Sequence, residues 1–148
     1  MLKTEFSVHI NAPREQVFDL LAHPELLAEP LETVRSVKVI SRDADSLLTE
    51  TVAGTDHRDT RLVVENHFFP PDRIDIHQIK GELRTLNGAD ILEVEDGGTR
   101  VTEILEFEIG LPLFGNLLGN MGIRQLVEEQ SRDRLRALRK LAESPHPR

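Results

Sequence analysis

Apolar residues recur with two different periods along this chain, and the change of period separates predicted helices from predicted strands. Between Asn116 and Ala142 they recur at helical spacing, which predicts one long amphipathic helix. Two short helices are predicted after the first strand, one beginning at Asn11-Ala12-Pro13 and one over 24–28. Alternation with a period of two predicts strands over residues 3–11, 34–42, 46–55, 58–69, 72–80, 87–95 and 99–110.

This order of elements determines the expected architecture. Strands joined by short turns pair as an antiparallel sheet, and helices segregated from the strands place the chain in the α+β class. We expect a curved antiparallel sheet of about seven strands, wrapped around the long C-terminal helix, with the two short helices after strand 1. We expect residues 1–143 to form this single domain and residues 144–148 to form a frayed C-terminal tail.

Three glycines, Gly115, Gly119 and Gly122, lie near the start of the long helix. Glycine lowers helix stability but permits two backbones to approach closely, so these residues indicate close packing of the helix on the sheet. The alternative interpretation is a flexible gate through which a ligand enters.

Composition narrows the function classes. The 148-residue chain has a formal net charge of −8, which argues against non-specific binding to nucleic acids or anionic membranes. It has no cysteine, tryptophan or tyrosine, which excludes disulfides and leaves few aromatic platforms for bases or sugars. No apolar run reaches membrane-spanning length, and the first residues do not form a leader-like segment. We therefore expect a cytoplasmic protein that neither inserts into membranes nor binds nucleic acid.

The sequence lacks the motifs of nucleotide cofactors and of covalent nucleophiles. It contains neither a Gly-x-Ser-x-Gly motif nor a phosphate-binding loop with its lysine, so we predict no nucleotide or other cofactor. Glu65, His67, Asp75 and His77 share the outer face of one predicted hairpin, a pattern from which a metal site is conceivable. Cross-strand charge pairs on a solvated face explain the same pattern, and we predict no metal site.

The candidate chemistry lies in the predicted hairpin around Asp96-Gly97. A two-residue loop at this pair, the commonest signal for a tight hairpin, places Leu92 opposite Val101. The same register sets Asp90 opposite Glu103, and parity with the apolar positions puts both carboxylates on the concave face of the sheet. Like charges that face each other are destabilising, so one carboxyl should hold its proton near neutral pH, or both should share a cation.

This carboxylate pair is the candidate catalytic site. Asp90 and Glu103 would serve as general acid and base for enolisation, aldol cyclisation or dehydration, with Arg134 or Gln130 on the helix as a partner across the cavity. Two alternatives stay open. A β-bulge would shift the register and turn Asp90 to solvent, or both acids lie at a wet cavity mouth without a chemical role.

The concave face also carries the candidate ligand-binding residues. Asn66, Gln78 and Lys80 continue its apolar pattern as polar side chains, which either hydrogen-bond a ligand carbonyl or lie where the sheet edge leaves the core. The predicted ligand-binding set comprises Asn66, Gln78, Leu92, Leu105, Phe107, Met121, Gln130 and Arg134.

Several stretches of the chain resemble a known family. The segment Val8–Phe18, the strand containing Gly88, the segment Gly98–Thr102 and the glycine-rich terminal helix are similar to the START/pollen-allergen-like (SRPBCC) superfamily, and most of all to its polyketide cyclase/dehydrase branch. The resemblance implies a helix-grip fold that holds a hydrophobic ligand between sheet and helix. The branch includes aromatase/cyclases and carriers of lipids and quinones. Many of its members have an aromatic residue where this chain has Asp90, so the cavity floor is expected to be more polar here.

These observations lead to three function hypotheses. The resemblance implies binding of a small hydrophobic molecule, such as a lipid, an isoprenoid or a polyketide-like compound, in an internal cavity. The alternative is a cofactor-free cyclase or dehydratase that uses Asp90 and Glu103. The third is a protein interaction module, for which we expect a collapsed cavity and an exposed apolar patch.

Overall fold

The computed structural model of the chain describes residues 1–28, 34–55, 58–109 and 115–144, with the side chains of all of these except 28, 53–55, 58–60 and 115–123. Its elements in chain order are β1 (Leu2–Ile10), α1 (Arg14–Leu21), α2 (Pro24–Ala28), β2 (Val34–Arg42), β3 (Ser46–Thr55), β4 (Arg58–Phe69), β5 (Arg73–Gly81), β6 (Leu83–Glu95), β7 (Gly98–Ile109) and α3 (Gly115–Glu143).

The seven strands form one antiparallel sheet in the order β1-β7-β6-β5-β4-β3-β2. Strands β2 to β7 pair with their neighbours in sequence, as the short turns predict, and β1 pairs with β7. The sheet, the long C-terminal helix and the two short helices after β1 confirm the predicted α+β architecture. The bounds of β2, β3 and β4 are those that the alternating pattern predicts.

The core lies between α3, α1 and one face of the sheet, which we call the inner face. Leu135 and Leu138 of α3 are buried together with residues of α1 and of the sheet, among them Ile10, Val17, Phe18, Leu21, Leu47, Ile74 and Val101. A second, smaller cluster joins Leu83, Leu86 and Phe107. The helical spacing of apolar residues in α3 and the period of two in the strands therefore meet at one buried layer.

Strand β6 is longer than predicted, because it begins at Leu83 and the alternating pattern is clear only from residue 87. The pairing of β6 with β7 shifts register between Leu83 and Thr85. Such an irregularity interrupts the period of two, so that the start of the strand is hidden in the sequence.

The turn between β6 and β7 has the predicted form. Asp96 and Gly97 both have positive φ, 46° and 78°, as a two-residue hairpin turn of type I′ requires. The pairing of Glu95 with Gly98 and of Leu92 with Val101 confirms the predicted register. This turn fixes which side chains of the two strands meet on the inner face.

Strands β6 and β7 pack closely at Gly88, where there is no room for a side chain. A Cβ atom at this position would collide with the carbonyl oxygen of Ile104 and lie 2.8 Å from Cδ2 of Leu105. We expect Gly88→Ala to lower the free energy of unfolding by about 1–3 kcal/mol, because the added methyl group forces the backbone to move. Urea unfolding measures the change, and Glu93→Ala, at an exposed position of the same strand, is the control and should change stability by less than about 0.5 kcal/mol. Equal effects of the two substitutions would contradict the prediction.

Candidate functional site

A cavity of about 180 Å³ lies between the inner face of the sheet and α3. Most of its wall is apolar and is formed by Pro24, Leu27, Val34, Val37, Leu62, Val64, Ile76, Leu83, Leu86, Leu105 and Val127. The remaining wall is polar and is formed by Thr49, Thr51, Asn66, Glu103, Gln130, Ser131 and Arg134. A mostly apolar hollow with a few converging polar groups is the usual form of a small-molecule site.

The two candidate carboxyl groups meet at one end of this region. Asp90 on β6 pairs with Glu103 on β7, as the hairpin register predicts. Their side chains are 0% and 4% exposed. The alternative in which a bulge turns Asp90 to solvent is therefore wrong, because the register of β6 and β7 is regular from Thr85 to the turn.

The guanidinium of Arg134 reaches down from α3 and is shared by both carboxyl groups. Its Nη1 and Nη2 atoms each lie 3.2 Å from Oδ2 of Asp90, and Nη1 also donates to Oε2 of Glu103. This is the shared cation that two facing carboxyl groups are expected to need. Gln130, the other candidate partner, forms no side-chain hydrogen bond within the described ranges and lines the cavity instead.

The surroundings of the pair also favour a protonated carboxyl group. Burial raises the pKa of Asp90, Arg134 opposes this increase and the nearby Glu103 adds to it, so that the pKa is about 8 instead of the ordinary 3.8. At neutral pH, Asp90 therefore holds its proton. Burial lowers the pKa of Arg134, but the attraction of the two carboxyl groups outweighs burial and raises it, so the guanidinium stays charged.

The three side chains of this cluster differ in their access to the cavity. Glu103 and Arg134 line it, and the side chain of Arg134 is 21% exposed. Asp90 is completely buried behind Arg134 and is not part of the cavity wall. A molecule in the cavity would meet a carboxylate acceptor and a guanidinium donor, whereas Asp90 would act on it only through Arg134 or Glu103.

Of the other predicted ligand-binding residues, some line the cavity and some do not. Asn66 and Leu105 lie in the cavity wall. Leu92 and Phe107 are packed in the two core clusters and do not reach the wall. The side chain of Met121 lies outside the described residues.

A bulge changes the position of the two polar residues predicted on β5. Val64 pairs with Gln78 and Val63 pairs with Lys80, so the register shifts by one residue at Ile79. Lys80 is consequently exposed, and the prediction that it continues the inner face is wrong. Gln78 lies outside the cavity wall, and its Nε2 donates to the carbonyl oxygen of Leu83 at 2.8 Å.

Three polar residues of the cavity wall were absent from the prediction. Thr49 and Thr51 share the parity of buried Leu47 on β3, and that parity would have identified them. Ser131 precedes Arg134 by three positions on α3, which places both on one helix face. Short polar side chains at such positions carry little signal because they also fit a solvated face.

The side chains on the outer face of the β4–β5 hairpin make contacts other than the expected cross-strand charge pairs. Asp75 accepts a hydrogen bond from Nε of Arg73 at 2.5 Å, and the His67 ring lies against Phe69, with 5.7 Å between centroids. Nδ1 of His77 lies 2.5 Å from Oδ1 of Asn87. In the described part of the chain, no group of three or more His, Asp or Glu residues is arranged to hold a metal ion. None of the helices in that part is long and apolar enough to cross a membrane.

Solved structures with this architecture come from several kinds of protein. TTHA0849 from Thermus thermophilus is 26% identical, with a TM-score of 0.85, and the match covers 97% of this chain and 100% of that protein. The Zhui aromatase/cyclase from Streptomyces sp. R1128 is 16% identical, with a TM-score of 0.80 and coverage of 96% and 93%. A START superfamily protein from Mycobacterium smegmatis is 13% identical, with a TM-score of 0.72 and coverage of 95% and 97%.

The sequence itself identifies the family of the chain. No match is found among curated proteins. A family model described as "Polyketide cyclase / dehydrase and lipid transport" matches residues 10–133, which include the carboxylate pair and most of the cavity wall. The match spans most of the chain and agrees with the resemblance seen in its motifs, so the chain belongs to the polyketide cyclase/dehydrase and lipid transport family.

Proposed function

We propose that this protein binds a small, largely apolar molecule that carries a carbonyl or hydroxyl group, such as a lipid, isoprenoid or polyketide-like compound. The observation that carries the proposal is the cavity of about 180 Å³, whose wall is apolar except for a few groups that include Glu103 and Arg134. An apolar cavity of roughly 150 Å³ already accommodates a benzene-sized molecule. The volume is thus sufficient for a small ring system or a short chain.

The polar groups of the wall determine how such a molecule would be oriented. Arg134 presents N–H donors and Glu103 presents an acceptor oxygen, so a carbonyl and a hydroxyl group both find a partner there. The leucine and valine side chains of the wall would cover the apolar remainder. Membership of the polyketide cyclase/dehydrase and lipid transport family supports this ligand class. A cavity of this size also differs from the collapsed one that we expect for a protein interaction module.

Binding can be tested with an uncharged fluorescent probe, N-phenylnaphthylamine, together with native mass spectrometry of gently purified protein. We expect saturable probe fluorescence, competition by octanol, and a defined apolar adduct in the mass spectrum. Ile76→Phe should reduce probe affinity at least about tenfold, because the larger ring fills the cavity that Ile76 lines. Ile79→Phe is the matched control, since Ile79 is 54% exposed on the same strand.

The outcomes of this test separate binding in the cavity from binding elsewhere. Equal affinity of Ile76→Phe, Ile79→Phe and the wild-type protein would place the probe outside the cavity and contradict the proposal. Circular dichroism of both variants verifies that the fold is retained.

The second candidate function is a cofactor-free cyclase or dehydratase, and it rests on the contact between Glu103 and Arg134 at the cavity wall. A substrate carbonyl that hydrogen-bonds to Arg134 would have its enolate stabilised by the guanidinium, while the Glu103 carboxylate takes the α-proton. Protonated Asp90 supports the pair from behind without contacting the substrate. If this function holds, Glu103→Gln should abolish turnover of a β-keto substrate while probe binding persists.

A further inference from the structure

Two polar side chains of the cavity wall, Asn66 and Thr49, form no hydrogen bond with the described part of the protein. Asn66 on β4 is 7% exposed and Thr49 on β3 is 4% exposed. Among the described residues, nothing donates to or accepts from either side chain, although both line the cavity. Polar groups at such positions pair with water or with a ligand in the cavity, so both side chains are available to a bound molecule.

The sheet register places these two side chains next to each other. Thr49 pairs with Val64, and Asn66 is two residues further along β4 on the same face. Diagonal neighbours of this kind lie about 7–8 Å apart, within the reach of an amide and a hydroxyl toward one shared group. A ligand hydroxyl between them can accept from the amide and donate to the threonine oxygen, and a ligand carbonyl can accept from both.

This pair is separated from the ion-paired cluster. Asn66 lies on β4 and Glu103 on β7, with β5 and β6 between them. Three strand spacings correspond to roughly 14 Å along the sheet. The floor between them is apolar and includes Ile76 and Leu105.

The described part of the cavity wall around Asn66 and Thr49 carries no unpaired charge. Among the cavity-lining residues that the structure describes, Glu103 and Arg134 carry the charges, and they are paired with each other. A charged ligand group beside Asn66 would be buried without a counter-ion, whereas a neutral hydroxyl or carbonyl would satisfy the amide at no such cost.

We propose that Asn66 and Thr49 form a second polar subsite, which binds a neutral hydroxyl or carbonyl group at the end of the ligand farther from Arg134. This inference rests on the proposed ligand-binding function and makes it more specific. The preferred ligand has an apolar middle and an oxygen function toward each end, in contrast to a lipid with a single polar head.

The test compares octanol with the corresponding terminal diol, which differs only by a second hydroxyl group. Dissociation constants are obtained by displacement of N-phenylnaphthylamine from the intact protein and its variants. In Asn66→Leu and Thr49→Val, the affinity for the diol should fall about tenfold relative to that for octanol, because the second hydroxyl loses its partner while the chain still fits. Thr102→Val is the matched control, since Thr102 pairs with Ser7 on β1 and does not line the cavity.

The outcomes distinguish this inference from the function on which it rests. If the wild-type protein binds neither alcohol, the proposed function fails. If it binds both and the ratio of the two constants is the same in wild type, Asn66→Leu and Thr49→Val, the second subsite is contradicted while ligand binding stands. Thr49→Val preserves the shape of the side chain, so it provides the comparison if Asn66→Leu fails to fold, and thermal unfolding of each variant without ligand establishes which of them fold.

Discussion

Replacing Arg134 with methionine is expected to destabilise the protein by about 3–5 kcal/mol, the usual effect of removing one partner from a buried ion pair. The guanidinium is the group that holds Asp90 and Glu103 together, and both carboxyl groups are almost completely buried. Methionine fills much of the same space, so the loss is one of charge rather than of volume. Glu103 is then left in a poorly solvated place without its cation.

The free energy of unfolding in urea measures this effect, and the same helix offers a matched control. Arg136 is 71% exposed and lies 3.7 Å from Asp133, so Arg136→Met should change stability by no more than about 1 kcal/mol. The double variant Arg134→Met with Glu103→Leu should recover a large part of the lost stability, since it removes the uncompensated carboxylate as well. A loss for Arg134→Met that is no larger than for Arg136→Met would show that water solvates the cluster.

Local rules were sufficient to predict the part of the site that lies on β6 and β7. The Asp96-Gly97 turn fixes the register, and the register alone brings Asp90 opposite Glu103. From there, the cost of two facing carboxyl groups predicted either a held proton or a shared cation, and the helix offered Arg134 or Gln130 as the partner. Each of these steps depends on residues close in sequence or on one strong electrostatic argument.

The sequence predicts less well which residues line the cavity. Leu92, Phe107 and Leu105 are all predicted on the inner face, yet of these three only Leu105 lines the cavity. The distance between sheet and helix decides which inner-face residues are packed in the core and which line the cavity. The predicted inner-face position of Lys80 is wrong because one bulge at Ile79 reverses the alternation of inner and outer side chains beyond it. Neither helix-to-sheet distance nor a single bulge leaves a periodic signal in the chain.

The cluster at Asp90 also links stability to pH. Its pKa of about 8 in the folded protein lies above the ordinary value of 3.8, so between these pH values the folded state binds a proton that the unfolded state has lost. Stability is therefore expected to fall as the pH rises from about 4 to about 8 and to level off above that, with a slope of at most about 1.4 kcal/mol per pH unit. Asp90→Asn removes this titration, because an amide has no proton to lose.

The free energy of unfolding of Asp90→Asn, relative to that of the wild-type protein, should thus increase as the pH rises. Near pH 4 the two are expected to differ little, and near pH 8 Asp90→Asn should be the more stable by about 2 kcal/mol or more. Urea midpoints at several pH values measure the difference, and Asp45→Asn, an exposed change of the same charge, is the control that should show no such trend. A stability difference that does not depend on pH would mean that Asp90 is ionised in the folded state, with Arg134 compensating its burial. If the trend is found, the chain retains at neutral pH a buried acid that lowers its stability, where asparagine would be more stable. A buried acid with a raised pKa is typical of functional sites, and here it would act on a bound molecule only through Glu103 and Arg134, which line the cavity.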